Sequence, residues 1–360
     1  MPWPDTPITD LFDIAYPIVQ APMAGASSPA MAAAVAAAGG LGSLGCAGMS
    51  ADTVQAEIAA AHRGTNQPVN VNFFTHSPPQ ENPALTKAAM DRLAPWYERL
   101  GAGQPKPPAD NMFPFDTAMC DALVAAGARV VSFHFGLPAP ELVARVKDAG
   151  MIVLSSATSV AEARWLEERG ADVIVAQGVE AGGHNGWFLP RNGADVATTM
   201  ALVPRVVDAV SVPVLAAGGI ADGRGIAAAL MLGASGVQIG TAFLATPECR
   251  TAEAHKRAVA AASGDDTLAT RAYSGRSARG LVNAYSAEMA QYDDWPEFPL
   301  MNAATGPLRA ASAAAGHGDA FALWAGQAAG LARAETTTEV MERLIAETDA
   351  VLSCASGMRL

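Results

Sequence analysis

Short apolar runs of strand length recur along the first two thirds of the chain, and each is followed by a stretch of helical composition. The first is PIVQAPM, Pro17 to Met23, followed by the Ala-rich segment Ser28 to Ala38, where Ser28 and Pro29 suit a helix cap and a first helical position. LGSLG at Leu41 to Gly45 precedes a helix opening near Ser50 and Asp52, and PVNVNFF at Pro68 to Phe74 is the third strand. After Phe74 the rhythm stops, in a Pro-rich and polar stretch that reaches roughly Phe115, an insertion of the kind that forms part of a lid or second lobe. It resumes with a helix at Asp116 to Ala126 and the strand Ala128 to Gly136. The helix ELVARVKDAG, closed by Gly150, and the strand Met151 to Ser159 follow. Next come the helix VAEARWLEERG, the strand DVIVAQG and a helix through Thr199 to Val210. The last two strands are VPVLAAGGI, Val212 to Ile220, and GVQIGTAFL, Gly236 to Leu244, with the helix DGRGIAAALMLG between them.

Eight such alternations predict an α/β fold, a parallel (β/α)8 TIM barrel, because parallel strands buried on both faces read as continuous apolar runs. A doubly wound open sheet is the alternative, and the count of eight favours closure. From about Thr251 the pattern changes to a helix, the segment TRAYSGRSARGLVN at Thr270 to Asn283, and Ala-rich helical stretches. With the insertion, this tail predicts a second, mainly helical capping domain over the C-terminal mouth. The expected division is 1–75 and 113–265 for the barrel, 76–112 and 266–360 for the cap.

Composition narrows the ligand. Apolar residues make up 51% and charged residues 16%, which suits a globular enzyme. The net charge of −12 argues against nucleic acid, whose binders need a basic stripe, so any anionic ligand must be held by local groups. Cys46, Cys120, Cys249 and Cys354 are far apart with no CxxC pair, which suggests neither a zinc cluster nor a disulfide framework, and no metal is expected. The N-terminal MPWPDTPITDLFD has acids and prolines where a signal peptide needs a basic start and an apolar core, and the run from Ala30 to Ala47 is broken by glycines. A cytoplasmic protein without a membrane span is expected.

Barrels place function at the C-terminal ends of their strands. Those ends carry Ala21, Pro22 and Met23; Asn72; His134; Ser156 and Ala157; Gln177, Gly182, Gly183 and His184; Gly218 and Gly219; and Gln238, Gly240 and Thr241. Amides, glycines and two histidines with almost no carboxylate suit a flat polar cofactor bearing a phosphate. The endings AAGGIADGRG and QIGT place small residues where backbone N–H groups wrap a phosphate. Taken singly, those glycines read equally well as tight βα turns. His184 sits among Gly182, Gly183 and Gly186 at a strand end, which points to a general base or an electrostatic partner for an anion; Glu180 is not a metal partner for it. His134 either faces the mouth or fills it, with Phe133 and Phe135 expected on the opposite side of the strand. His62, His255 and His317 read as surface residues and His76 is unassigned. Arg276 and Arg279 form a compact basic pair that reads either as a solvated turn or as a part of the cap that meets cofactor or an acidic substrate. GSLGCAG at Gly42 to Gly48 lacks the acidic residue a Rossmann fingerprint needs.

The sequence resembles class I nitronate monooxygenases. The pieces that carry the resemblance are PIVQAPMAG, NVNFF, SFHFG, VIVAQGVEAGGHNG, VPVLAAGGIADGRGIAAALMLGASGVQIGTAFL and SGRSARGLVN, spanning about residues 17 to 283. The resemblance implies non-covalent FMN in a TIM barrel and oxidation of alkyl nitronates by dioxygen to a carbonyl compound and nitrite, propionate 3-nitronate being the first substrate to test. It implies Ala21, Pro22 and Met23 against the isoalloxazine, and Asn72 and Gln177 hydrogen-bonded to it. Gly182, Gly218, Gly219, Gln238, Ile239, Gly240 and Thr241 would embrace the phosphate and ribityl chain, and His184 matches the family's catalytic histidine. Asn185 departs from the Arg that many members carry after that histidine. The enzymatic alternative is an NAD(P)H-dependent FMN reductase acting on an enoyl thioester or quinone, and a third reading is a flavin-binding protein without turnover.

Overall fold

Alternation along each strand decides which side chains enter the barrel. The computed structural model describes residues 3–108, 112–191 and 196–357; residues 1–2, 109–111, 192–195 and 358–360 of the predicted segments lie outside the described residues. Eight parallel strands form one sheet: β1 (Ile18–Gln20), β2 (Gly42–Gly45), β3 (Val69–Phe74), β4 (Val130–His134), β5 (Ile152–Ala157), β6 (Val173–Gln177), then, beyond a short strand β7 (Gly183–His184) outside this sheet, β8 (Val214–Ala217) and β9 (Gly236–Ile239). The order β1-β9-β8-β6-β5-β4-β3-β2 runs round the molecule, and a parallel bridge between Val19 and Leu41 joins its two ends. Two backbone bonds make that join, Gln20 N to Leu41 O and Leu41 N to Ile18 O, each 2.9 Å. The predicted TIM barrel is the fold.

The strands are buried nearly throughout, as strands packed on both faces must be. Val19, Leu41, Val130, Leu154, Val173, Val175, Leu215 and Ala217 point inward and fill the barrel's lower part. Their neighbours of opposite parity, among them Val131, Phe133, Ile174, Ala216, Val237 and Ile239, pack outward against the helices. A helix at Pro7–Phe12, absent from the sequence reading, brings Ile8 and Phe12 into the inner cluster at the N-terminal end of the chain. Ser28 caps its helix as the sequence predicts, its Oγ accepting from Met31 N at 3.0 Å, and Asp116, read as the first residue of a helix, is that helix's cap, its Oδ1 accepting from Met119 N at 2.9 Å.

The eighth strand is shorter than expected. It ends at Ile239, and Thr241–Phe243 is a turn of 3-10 helix, so Thr241 to Leu244 is not strand. Beyond the barrel, β10 (Thr267–Thr270) and β11 (Ala278–Leu281) form an antiparallel ladder that β7 joins, pairing His184 with Ala278 and Gly183 with Arg279. The expected mainly helical lobe therefore contains a small sheet shared with a barrel loop. The insertion supplies a helix at Pro83–Arg99, whose Leu93, Trp96 and Tyr97 pack with Tyr273, Tyr285, Trp295 and Leu308 in a separate apolar core. The final helix, Thr337–Gly357, brings Val340, Met341 and Leu344 into the cluster beneath the barrel helices. Its Glu347 and Thr348 lie so close to Gly223 that a Cβ there would meet backbone at 2.3 Å. The helix packs on those at Gly223–Met231 and Pro29–Ala37. No helix among the described residues is long and apolar enough to cross a membrane.

Candidate active site

At the C-terminal mouth the inward parity ends in polar groups. Ser132, His134, Ser156 and Gln177 follow the inward positions of their strands by two residues or four, and with Asn72 and Gln238 they line a cavity of about 570 Å³. That size suits a cofactor with a small substrate. Ala21, Pro22, Met23, Gly182, His184, Gly218, Gly219, Gly240 and Thr241 line it too. Of the residues expected there, Ile239 does not: it is 1% exposed and its outward parity buries it against helices, so only its backbone belongs to this loop.

His134 has both ring nitrogens engaged. Nε2 faces the carbonyl oxygen of His184 at 3.1 Å, and because a carbonyl only accepts, Nε2 carries the proton. Nδ1 then accepts from the Ser156 hydroxyl, 2.6 Å away. Burial, with Arg276 adding to it, pushes its pKa down to about 4, so the ring is neutral at pH 7. His134 thus faces the mouth as a neutral strut under the His184 loop. Gln177 supports the same loop: its Nε2 donates to His184 O at 3.1 Å and its Oε1 accepts from Gly186 N at 2.8 Å.

His184 itself lies among Phe298, Trp324, Phe135 and Phe74, with ring centroids 5.4 to 6.2 Å away. Its Nε2 is 2.9 Å from Ser274 Oγ, and the Ser274 hydroxyl donates to Arg276 O at 3.0 Å. The single hydroxyl proton is thereby committed, which makes His184 Nε2 the donor and Nδ1 the bearer of the lone pair. Burial is the main cause, and His134 and Arg276 are further causes, of a pKa pushed down to about 3.

Arg276 lies over the rings of Phe135 and Trp187, 3.9 and 4.7 Å from their centroids, outside the cavity wall. Arg279 donates to Val179 O and Thr267 Oγ1, tying the β6 loop to β10. Neither basic residue is a solvated turn. Phe135 does not share Phe133's side of the strand: its φ of +75° turns it, and its ring is 4.4 Å from that of His134. His255 is not a surface residue either. It is 3% exposed, its Nδ1 is 2.7 Å from Thr251 Oγ1, and its Nε2 donates to Trp324 O, because the 321–329 segment covers its helix.

Sequence reasoning missed three supports. Gln20, fully buried, donates to Ala21 O and Ser27 Oγ and accepts from Ser43 N, fixing the Ala21–Met23 loop. Glu162 accepts from Thr158 N, Thr158 Oγ1, Phe188 N and Leu189 N, pinning the chain beyond His184. Ser274 carried no signal except its place in SGRSARG. Glu180 binds Thr199 N and Oγ1, and among the described residues no group of three His, Cys, Asp or Glu is placed to hold a metal.

Two βα turns complete the wall. Gly218 and Gly219 take φ of +110° and +72°, and among the described residues their N–H groups and that of Gly240 have no backbone acceptor. Thr241 Oγ1 accepts from Gly326 N at 2.9 Å, joining the last turn to the covering segment. Gly182 sits so close to that segment that a Cβ would lie 2.5 Å from Gly326 N.

Comparison with known proteins agrees with this architecture. A family profile described as nitronate monooxygenase matches residues 5–347. A nitronate monooxygenase of Paraburkholderia phytofirmans is 44% identical over 339 residues, 93% of this chain and 92% of its own length. Among solved structures, nitroalkane oxidase from Streptomyces ansochromogenes superposes with a TM-score of 0.89 at 39% identity, covering 97% of this chain and 99% of that one. FabK from Thermotoga maritima gives 0.76 at 29% identity, covering 98% and 99%.

Proposed function

We propose that this chain, which belongs to the nitronate monooxygenase family, oxidises alkyl nitronates with dioxygen to a carbonyl compound and nitrite, using FMN held at the barrel mouth. The observation that carries this reading is the wall of the cavity: a neutral His184, two glycine turns whose N–H groups have no backbone acceptor among the described residues, and no carboxylate among the described lining residues. The residues fit FMN. Gly218, Gly219 and Gly240 offer backbone donors of the kind that hold a phosphate, with Gly182 and Thr241 beside them. Ala21, Pro22 and Met23 supply a small, apolar ledge for the ring system, while Asn72 Oδ1 and the Gln238 amide have no protein partner among the described residues and are left for its polar edge and ribityl chain. Gln177 reaches it only through its remaining amide hydrogen, since its other polar atoms hold the His184 loop. We read 76–112 and the part of 266–360 before the final helix as the cap.

FMN, when bound, would supply the redox chemistry, the one-electron oxidation of the nitronate and the reduction of dioxygen. The protein's share lies with its own side chains. His184 presents the Nδ1 lone pair to the substrate, removing a proton from a neutral nitroalkane, or, once protonated there, balancing the nitronate's charge. Phe74, Phe298 and Trp324 exclude water around it. Propionate 3-nitronate is the first substrate to test, with the cytoplasm as the setting. The decisive experiment is anaerobic mixing of the purified protein with a nitronate and, separately, with NAD(P)H, followed by flavin absorbance. Reaction with the nitronate and oxygen-dependent nitrite release support the proposal. Bleaching by NAD(P)H alone supports the reductase, and no change with either leaves a flavin binder.

A further inference from the structure

Only the backbone of Arg276 takes part in fixing the His184 tautomer, through its carbonyl and the Ser274 hydroxyl. Its side chain is placed elsewhere. The guanidinium lies over the rings of Phe135 and Trp187, and two of its three nitrogens, Nε and Nη2, are buried with no hydrogen-bond partner. Burial pushes its pKa down to about 10, which still leaves a cation at pH 7. The carboxylate that acts on it, Glu162, is committed to other donors, Thr158 N, Thr158 Oγ1, Phe188 N and Leu189 N, and among the described residues Arg276 joins no ion pair. A cation stripped of water and left unpaired is costly. Packing alone does not account for it, because an apolar side chain of similar length would fill the space against the two rings without that cost.

What this charge faces is the back of the active-site wall. The Phe135 ring packs against Phe74, Phe298, His134 and His184, and all four of those line the cavity. It stands 3.9 Å from the guanidinium carbon and 6.0 Å from the His184 ring, so one aromatic ring separates the charge from the imidazole. No water fits in that gap to screen it. A unit charge within about 10 Å changes the affinity for an anion by about tenfold at the effective dielectric of a protein interior. Of the fixed charges that disfavour protonation of His184, Arg276 acts more strongly than Arg309, so its field does reach the site. The chain as a whole carries a net charge of −12 and His184 is neutral, which leaves fixed cations as the source of any positive potential in the chamber.

We infer that Arg276 is a positioning residue that touches neither substrate nor cofactor: its unpaired charge, acting through the Phe135 ring, draws the anionic nitronate to His184 and favours the added negative charge of a reduced flavin beside it. The inference rests on the function proposed above and adds a residue to it. The low-dielectric ring between the charge and the chamber transmits the field while keeping the guanidinium from pairing with the substrate and trapping it.

The test separates charge from packing on the flavin-loaded protein. Arg276→Met keeps the length and the contact with the two rings but removes the charge, whereas Arg276→Lys keeps the charge and loses the planar stack. The midpoint potential of the bound flavin reads the field with no substrate present. Arg276→Met is expected to lower it by about 30 mV, the two-electron equivalent of a tenfold change, and Arg276→Lys to restore most of it. In turnover, Arg276→Met raises KM for propyl-1-nitronate by about tenfold, and Arg276→Lys recovers most of that loss. A potential unchanged in Arg276→Met, or equal losses in the Met and Lys variants, overturns the inference and leaves the side chain a packing element. If Arg276→Met does not fold, Arg276→Gln, neutral and able to hydrogen-bond, replaces it in both measurements. A potential that follows the charge in a protein that oxidises no nitronate refutes the proposed reaction and leaves the Arg276 field standing.

Discussion

The imidazole of His184 donates its Nε2 proton to the hydroxyl of Ser274, 2.9 Å away and ninety residues further along the chain. The Ser274 hydroxyl in turn donates to the carbonyl of Arg276. The peptide bond of Arg276 therefore fixes which nitrogen of His184 is basic, and its guanidinium helps to keep that nitrogen unprotonated.

His184→Asn should keep flavin and fold but lose about 10²- to 10³-fold in kcat/KM for nitronates, the usual worth of a positioned acid or base. Oxygen uptake and flavin absorbance on the purified variant check this. Unchanged kinetics would remove His184 from the reaction.

Ser274→Ala lets the imidazole choose its tautomer. We expect kcat/KM to fall about tenfold with the flavin still bound. Ser274→Thr, which restores the hydroxyl, should recover most of the loss. If the Ala and Thr variants are equally impaired, the hydroxyl is only filling space.

Gly182→Ala puts a methyl 2.5 Å from Gly326 N and 2.6 Å from Ala325 C, where backbone cannot yield as a side-chain tip does. The expected cost is about 2 to 4 kcal/mol, in the range of overpacking or worse. Thermal unfolding would read a drop of several degrees, together with weaker flavin retention. Gly183→Ala is the contrast: its Cβ meets nothing within 4 Å, but its φ of +72° strains any L residue, so its loss should be smaller, about 1 kcal/mol.

Acid should destabilise the protein early. His134, His184 and His255 have pKa values pushed down to about 4, 3 and 4 in the fold, chiefly by burial, against 6.5 unfolded. Below pH 6.5 the unfolded chain takes up protons that the native state refuses. Their contribution is thus complete above that pH and is lost as pH falls towards the folded values, at up to about 1.4 kcal/mol per pH unit for each ring. Unfolding midpoints in urea should drop steadily from pH 6.5 to 4.5, and more gently in His255→Gln. A midpoint independent of pH over that window contradicts these assignments.

The barrel was legible because its strands are short, apolar and separated by helices whose starts, such as Ser28 and Asp116, are marked locally. Parity along the strands was legible too, and it explains why the Ile239 side chain, unlike that of Gln238, does not line the cavity: neighbours on a strand cannot both face inward. The errors are of a different kind. Phe135 was assigned by alternation, which fails where φ turns positive. His255 read as exposed because the segment that covers it lies some seventy residues later. The partners of His184 are likewise distant, Ser274 by ninety residues and His134 by fifty, and no local pattern encodes a pairing between β7 and β11.

The ladder between Gly183–His184 and Ala278–Arg279 has a bearing on how this enzyme can be re-engineered. The histidine belongs to a sheet whose other strands, Thr267–Thr270 and Ala278–Leu281, lie beyond the eight barrel strands in the chain, so the two segments are not interchangeable cassettes. A chimera that takes its barrel from one relative and its cover from another would inherit mismatched halves of a single hydrogen-bonded unit. The crossover points that respect it lie outside residues 178–187 and 266–283, which must travel together from the same parent.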